Sequence, residues 1–184
     1  MFRKNGFSLV EVLVALLVLA LGVIGAASMQ LAAMRATQQS AFHTIALQLA
    51  TEMADAIRHR EIQVAKNGTN PYFEIDYQSM AEGDPPAPSQ LCYASVCNVE
   101  QFIEFEIYEW KKRLKATLPS GRFLVCRDLV PWDKAKRTLT WSCSDEAEGN
   151  APLVIKIGWQ IKSPDGSLVR DADGLFPPSI VLVI

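Results

Sequence analysis

The chain has 184 residues, with 18 Lys and Arg against 20 Asp and Glu, for a formal net charge of -2. That balance argues against a nucleic-acid footprint, and no basic stripe with interleaved aromatics stands out. The length suffices for one small globular domain beyond an apolar start.

Arg3 and Lys4 precede Asn5-Gly6-Phe7-Ser8-Leu9-Val10-Glu11, and an apolar run follows over residues 12–27. No charge interrupts residues 12–34. As a helix, those 23 residues would rise about 35 Å, enough to cross about 30 Å of hydrocarbon. The two cations place the N-terminus in the cytoplasm and the rest outside. Glu11 sits at the entrance of this segment, where a charge is costly and marks a functional partner. A secretory signal ending near Gly25-Ala26-Ala27, a plain signal anchor and a buried soluble helix are the competing readings. Glu11, and a helical pattern that outlasts the apolar run, count against the signal.

No proline occurs before Pro71, so one helix can run from residue 7 to about residue 60. Its second half is amphipathic. Phe42, Ile45, Leu49, Met53, Ala56 and Ile57 form one stripe at three- and four-residue spacing. Gln38, Gln39, Gln48, Glu52, Asp55 and Arg58 lie mostly off it. Gly22 and Gly25 each cost about 1 kcal/mol in a helix interior. Asn67-Gly68 and Pro71 end the helix. Residues 69–91 read as irregular, with a stiff loop at Asp84-Pro85-Pro86-Ala87-Pro88.

The four cysteines, Cys92, Cys97, Cys126 and Cys143, lie in the expected external part. An even count there favours disulfides, and three pairings are possible. Cys92–Cys97 with Cys126–Cys143 needs least rearrangement; a structural zinc site is the alternative. Asn98, with Gln101 three residues on, opens a second helix whose stripe is Ile103, Ile107, Trp110 and Leu114. Pro119-Ser120-Gly121 ends it. Residues 122–127 and 138–143 read as a hairpin or neighbouring strands. Leu153, Ile155, Ile157, Trp159 and Ile161 alternate with Val154, Lys156, Gly158, Gln160 and Lys162, which predicts a half-buried strand. Ser163-Pro164-Asp165-Gly166 makes a turn, and residues 180–184 a short terminal strand. An antiparallel sheet on the amphipathic half of the long helix gives an α+β domain.

No catalytic constellation emerges. His43 and His59 fall on one helix, too far apart to meet, and read as surface or interface residues. No Gly-x-Ser-x-Gly, P-loop or His-Glu-x-x-His pattern is present. Asp145, Glu146 and Glu148, and separately Asp171 and Asp173, read as solvated acidic loops, with calcium as the lesser alternative. No metal, cofactor or catalytic residue is expected.

The N-terminal stretch resembles the leader of type IV prepilins: a basic start, Gly6, Phe7, then Glu11 and a long apolar helix. The resemblance implies cleavage between Gly6 and Phe7, and N-methylation of Phe7, by a membrane-embedded prepilin peptidase. It divides the chain into a leader (1–6), a transmembrane and assembly half of the helix (7–34), and a periplasmic pilin-like domain (35–184). The new amino terminus would be a cation that Glu11 of a neighbour, or of the same chain, neutralises. Gly22 and Gly25 then serve close helix packing, local unwinding during assembly, or both.

Gly22 to Ala27, the stretch from Gln30 to Ala41, and Ala46, Leu49, Ala50, Met53, Ala54, Ile57 and Arg58 also look like the PilV-type minor pilins. That similarity implies a low-abundance subunit of the inner membrane and pilus tip. Its partners would be other minor pilins, the major pilin and a tip adhesin, with roles in adhesion and twitching motility. A minor pseudopilin of a type II secretion system is the alternative, and a membrane-anchored periplasmic enzyme a second one.

Overall fold

The computed structural model describes residues 8–64, 71–144, 151–163, 165–171 and 173–184. Two compact units divide the chain, Met1–Ala41 and Phe42–Ile184. The first helix, α1 (Leu9–Val64), runs through both and continues past the expected end near residue 60. It counts 56 residues.

In the first unit α1 opens on Ser8, whose carbonyl accepts the N–H groups of Glu11 (3.0 Å) and Val12 (3.3 Å). The apolar side chains here are exposed on every face, Leu13, Leu17, Leu21, Ile24 and Leu31 among them. The few hydroxyls fold back on the helix: Ser28 Oγ donates to the Gly25 carbonyl (2.7 Å) and Thr37 Oγ1 to that of Ala33 (2.9 Å). Their polarity is therefore spent locally.

In the second unit α1 buries Ala46, Leu49, Ala50, Met53, Ala54 and Ile57, with Phe42, Ile45 and Ala56 partly covered. The expected stripe is present, and Ala46, Ala50 and Ala54 form a second buried row beside it. A helix α3 (Val99–Thr117) completes the helical layer. Asn98 caps it in a full capping box: its side chain accepts from Gln101 N (2.8 Å), and Gln101 Oε1 accepts from Asn98 N (3.0 Å). Such a cap contributes about 1 kcal/mol. Ile103, Trp110 and Leu114 are buried, and Ile107 packs at their edge.

The main sheet is antiparallel. Its strands are β1 (Asp76–Gln78), β2 (Arg122–Arg127), β5 (Leu153–Gly158) and β6 (Pro178–Val183), in the order β1-β2-β5-β6. Ile155, Ile157, Phe123, Val125 and Ile180 join the core that α1 and α3 cover.

Three expectations are corrected. Residues 69–91 are not wholly irregular: a 3-10 turn (Pro71–Glu74), β1 and a one-turn helix α2 (Ser79–Glu82) occupy part of them. Tyr72, Ile75 and Tyr77 are buried there, and Tyr77 sits opposite Phe123 with ring centroids 6.0 Å apart. A three-residue strand has too short a repeat to show in sequence. Second, the segment after residue 138 does not pair with β2. β4 (Thr138–Leu139) pairs with β3 (Trp132–Asp133), so residues 128–144 form a separate ribbon. Third, β5 is buried at all six positions instead of half-buried. Its second face, carrying Val154, Lys156 and Gly158, is covered by that ribbon: the Trp141 ring lies on Gly158, and Lys156 reaches the ribbon's carbonyls. The turn after residue 162 forms, with Gly166 N donating to Ser163 O (2.8 Å) at φ 89°.

Gly158 is required by contact. A Cβ there would lie 2.6 Å from the Pro177 carbonyl and 2.8 Å from Trp141 Cζ2. Gly158→Ala is expected to destabilise the protein by about 1–3 kcal/mol; thermal denaturation in detergent, followed by tryptophan fluorescence, tests this.

Candidate assembly site

α1 presents one carboxylate in its first turn, Glu11, exposed among Leu9 (84% exposed), Val10 and Val12. A negative charge at a helix N-terminus complements the macrodipole. The segment is long and apolar enough to cross a membrane, and its most apolar stretch is not buried by the protein itself. This much uncovered apolar surface calls for lipid or other helices as its surroundings. A Cβ at Gly22 or Gly25 would meet nothing within 4 Å, so neither glycine is there to fit a contact within this chain. Gly6 and Phe7 lie outside the described residues, as do the acidic Asp145, Glu146 and Glu148.

Two disulfides shape the second unit. Cys92 joins Cys97, closing a short surface loop before α3, and Cys126 of β2 joins Cys143 at the end of the ribbon. Beside the second lies a fully buried ion pair. Lys156 Nζ, on β5, contacts Asp128 Oδ2 at 2.5 Å and also donates to the carbonyls of Thr140 (2.9 Å) and Ser142. Asp128 Oδ1 accepts from Val130 N (2.9 Å). All three ammonium protons thus have acceptors, the condition under which a buried charge is tolerated. The sequence marks Lys156 only as the polar member of an alternating strand; nothing local to it announces Asp128 as its partner.

A second polar set joins the two long helices. Arg113 grips Glu52 with two bonds (2.6 and 2.8 Å). That bond, with the guanidinium charge, holds the Glu52 carboxyl below its ordinary range. Glu106 accepts from the Tyr72 hydroxyl (2.8 Å) and from Arg60 (3.0 Å), whose guanidinium also stacks on Phe102 at 4.3 Å. Burial first, then the bond to Glu106, pushes the Tyr72 phenol far above its ordinary value of 10.0.

His43 and His59 are both exposed. His43 meets the edge of Trp159, centroids 6.1 Å apart. Asp171 is a turn organiser, its Oδ1 accepting from Asp173 N (3.0 Å) and Leu175 N (2.8 Å). Among the described residues no group of three or more His, Cys, Asp or Glu is placed to hold a metal ion.

Residues 1–27 match the family described as the prokaryotic N-terminal methylation motif. This leader, followed by a long apolar helix and an α+β domain, indicates a type IV pilin-like or pseudopilin protein. Comparison with curated proteins and with solved structures returns no match.

Two outcomes follow from the polar sets. Asp128→Ala leaves the Lys156 ammonium buried beside carbonyls alone and is expected to cost about 3–5 kcal/mol. Asp128→Leu with Lys156→Met should cost clearly less in the same chemical denaturation series. For Tyr72 the folded phenol keeps its proton above pH 10 while the unfolded one releases it, so its stabilising contribution is lost as pH rises past 10. Tyr72→Phe should flatten the alkaline fall in melting temperature measured between pH 9 and 11.

Proposed function

We propose that this protein is a minor pilin that works by assembly and not by catalysis. It joins other minor pilins in the initiation or tip complex of a type IV pilus and promotes pilus formation. The observation that carries the reading is the continuous α1: its first part is apolar on every face and uncovered by its own chain, yet it continues into the core of a folded domain. The methylation motif, which spans residues 1–27 and so includes the first part of α1, supports processing at Gly6-Phe7 by a prepilin peptidase and anchoring in the inner membrane. In that setting Glu11 supplies the charge that pairs with a neighbouring amino terminus, because an unpaired cation in low dielectric is costly.

The test has two parts. Mass spectrometry of the mature N-terminus should find a methylated Phe7; cleavage after Ala27 would sink the reading. Glu11→Ala should leave insertion and leader cleavage intact while reducing the subunit recovered in sheared filaments and the number of surface pili counted by electron microscopy. Normal incorporation would leave Glu11 as a tolerated interfacial charge. Recovery of the subunit solely with secretion pseudopilins would transfer it to that apparatus.

A further inference from the structure

The ribbon over residues 128–144 is tied to the sheet at both ends, and its outer surface combines exposed apolar and basic side chains. Lys156 fastens Asp128 at one end and the carbonyls of Thr140 and Ser142 at the other, while the Cys126–Cys143 disulfide ties its end to β2. Ser144 Oγ accepts from Leu129 N (2.9 Å), and Thr140 N donates to Pro131 O (3.0 Å). The hairpin this fixes exposes Leu129, Val130 (65%) and Trp132 (46%). Its turn carries Lys134, Lys136 and Arg137, all exposed, with Arg137 in the left-handed region at φ 53°. The nearby carboxylate of Asp133 accepts from Ala135 N (2.8 Å) and Lys136 N (3.0 Å), and its Oδ2 lies 4.0 Å from Lys136 Nζ. A chain with net charge -2 thus sets three cations against the one carboxylate of Asp133, beside a half-exposed tryptophan, on one hairpin.

We infer that this hairpin is a recognition element for the globular domain of a neighbouring pilin, one presenting an apolar pocket rimmed by carboxylates. The inference rests on the assembly reading above. Charge complementarity names the rim, and Trp132 is the residue type that most often anchors such contacts. The rigid base argues for a protein partner over a lipid surface. Fixing a loop in advance rewards shape-specific docking, whereas attraction to anionic lipid follows area and charge without regard to loop geometry.

The experiment places a photo-reactive phenylalanine at position 130 of the full-length protein in its own cells, with the same group at the exposed Ser167 as control. Expected is a position-130 product whose partner carries a prepilin leader and whose linked peptide lies in that partner's globular domain beside Asp or Glu. The triple change Lys134→Glu, Lys136→Glu, Arg137→Glu should cut its yield at least tenfold, with both disulfides formed and the melting temperature kept. Trp132→Ala, also checked for folding, should cut it similarly. Undiminished yield in both variants overturns the inference, as does a product formed with lipid or nucleic acid instead of a pilin. If the wild-type subunit is found in sheared filaments but position 130 links to no pilin, this inference fails and the assembly reading stands. Absence of the subunit from filaments removes both.

Discussion

One helix has to satisfy two surroundings, and the rest of the molecule answers to that constraint. In its first unit α1 offers aliphatic side chains in every direction, a surface stable only where water is absent. Beyond residue 41 the same helix narrows its apolar surface to a stripe of alanine, leucine, methionine and isoleucine, and returns Gln48, Glu52, Asp55 and Arg58 to solvent. There is no proline and no break between the two regimes. The sheet and α3 exist around that stripe: each inward-facing strand residue meets the core to which α1 contributes.

The sheet's own problem is β5. A central strand flanked by β2 and β6, and closed by helices on one face, still presents Val154, Lys156 and Gly158 on the other. The ribbon resolves this. Gly158 admits the Trp141 ring, and Lys156 replaces lost water with one carboxylate and two carbonyls. Such a pair adds little net stability over an apolar substitute, because desolvation offsets attraction. Its effect is to select one position for the ribbon, since any other leaves a buried ammonium unsatisfied.

Sequence periodicity was a good guide where repeats were long. The amphipathic part of α1, the capping box at Asn98 and Gln101, and the stripe Ile103, Trp110 and Leu114 all depend on local spacing, and the folded chain uses them as such. β1 escaped notice because three residues carry no pattern. The pairing of β4 with β3 escaped because two-residue strands are set by the turn between them and by Lys156, which is distant in sequence. The burial of β5 on both faces was hidden by its one lysine, a residue that ordinarily signals solvent. The assembly end of the chain presents the reverse case: Glu11 is conspicuous in sequence because a charge interrupts an apolar segment, and in the fold it stands exposed at the first turn of α1.

The positions of the two disulfides separate scaffold from ornament. Neither crosses from α1 to the sheet: one closes a loop of the surface, the other joins β2 to the ribbon. No disulfide therefore fastens the helical spine to its domain; apolar packing and the Arg113–Glu52 and Arg60–Glu106 pairs hold it there. Oxidant supply acts elsewhere. Reduction would free the surface loop and the end of the ribbon, and because each crosslink restricts the unfolded chain it would also lower the stability of the domain as a whole. Redox conditions at the time of folding thus set both how sharply the domain displays its contact features and how firmly it holds together.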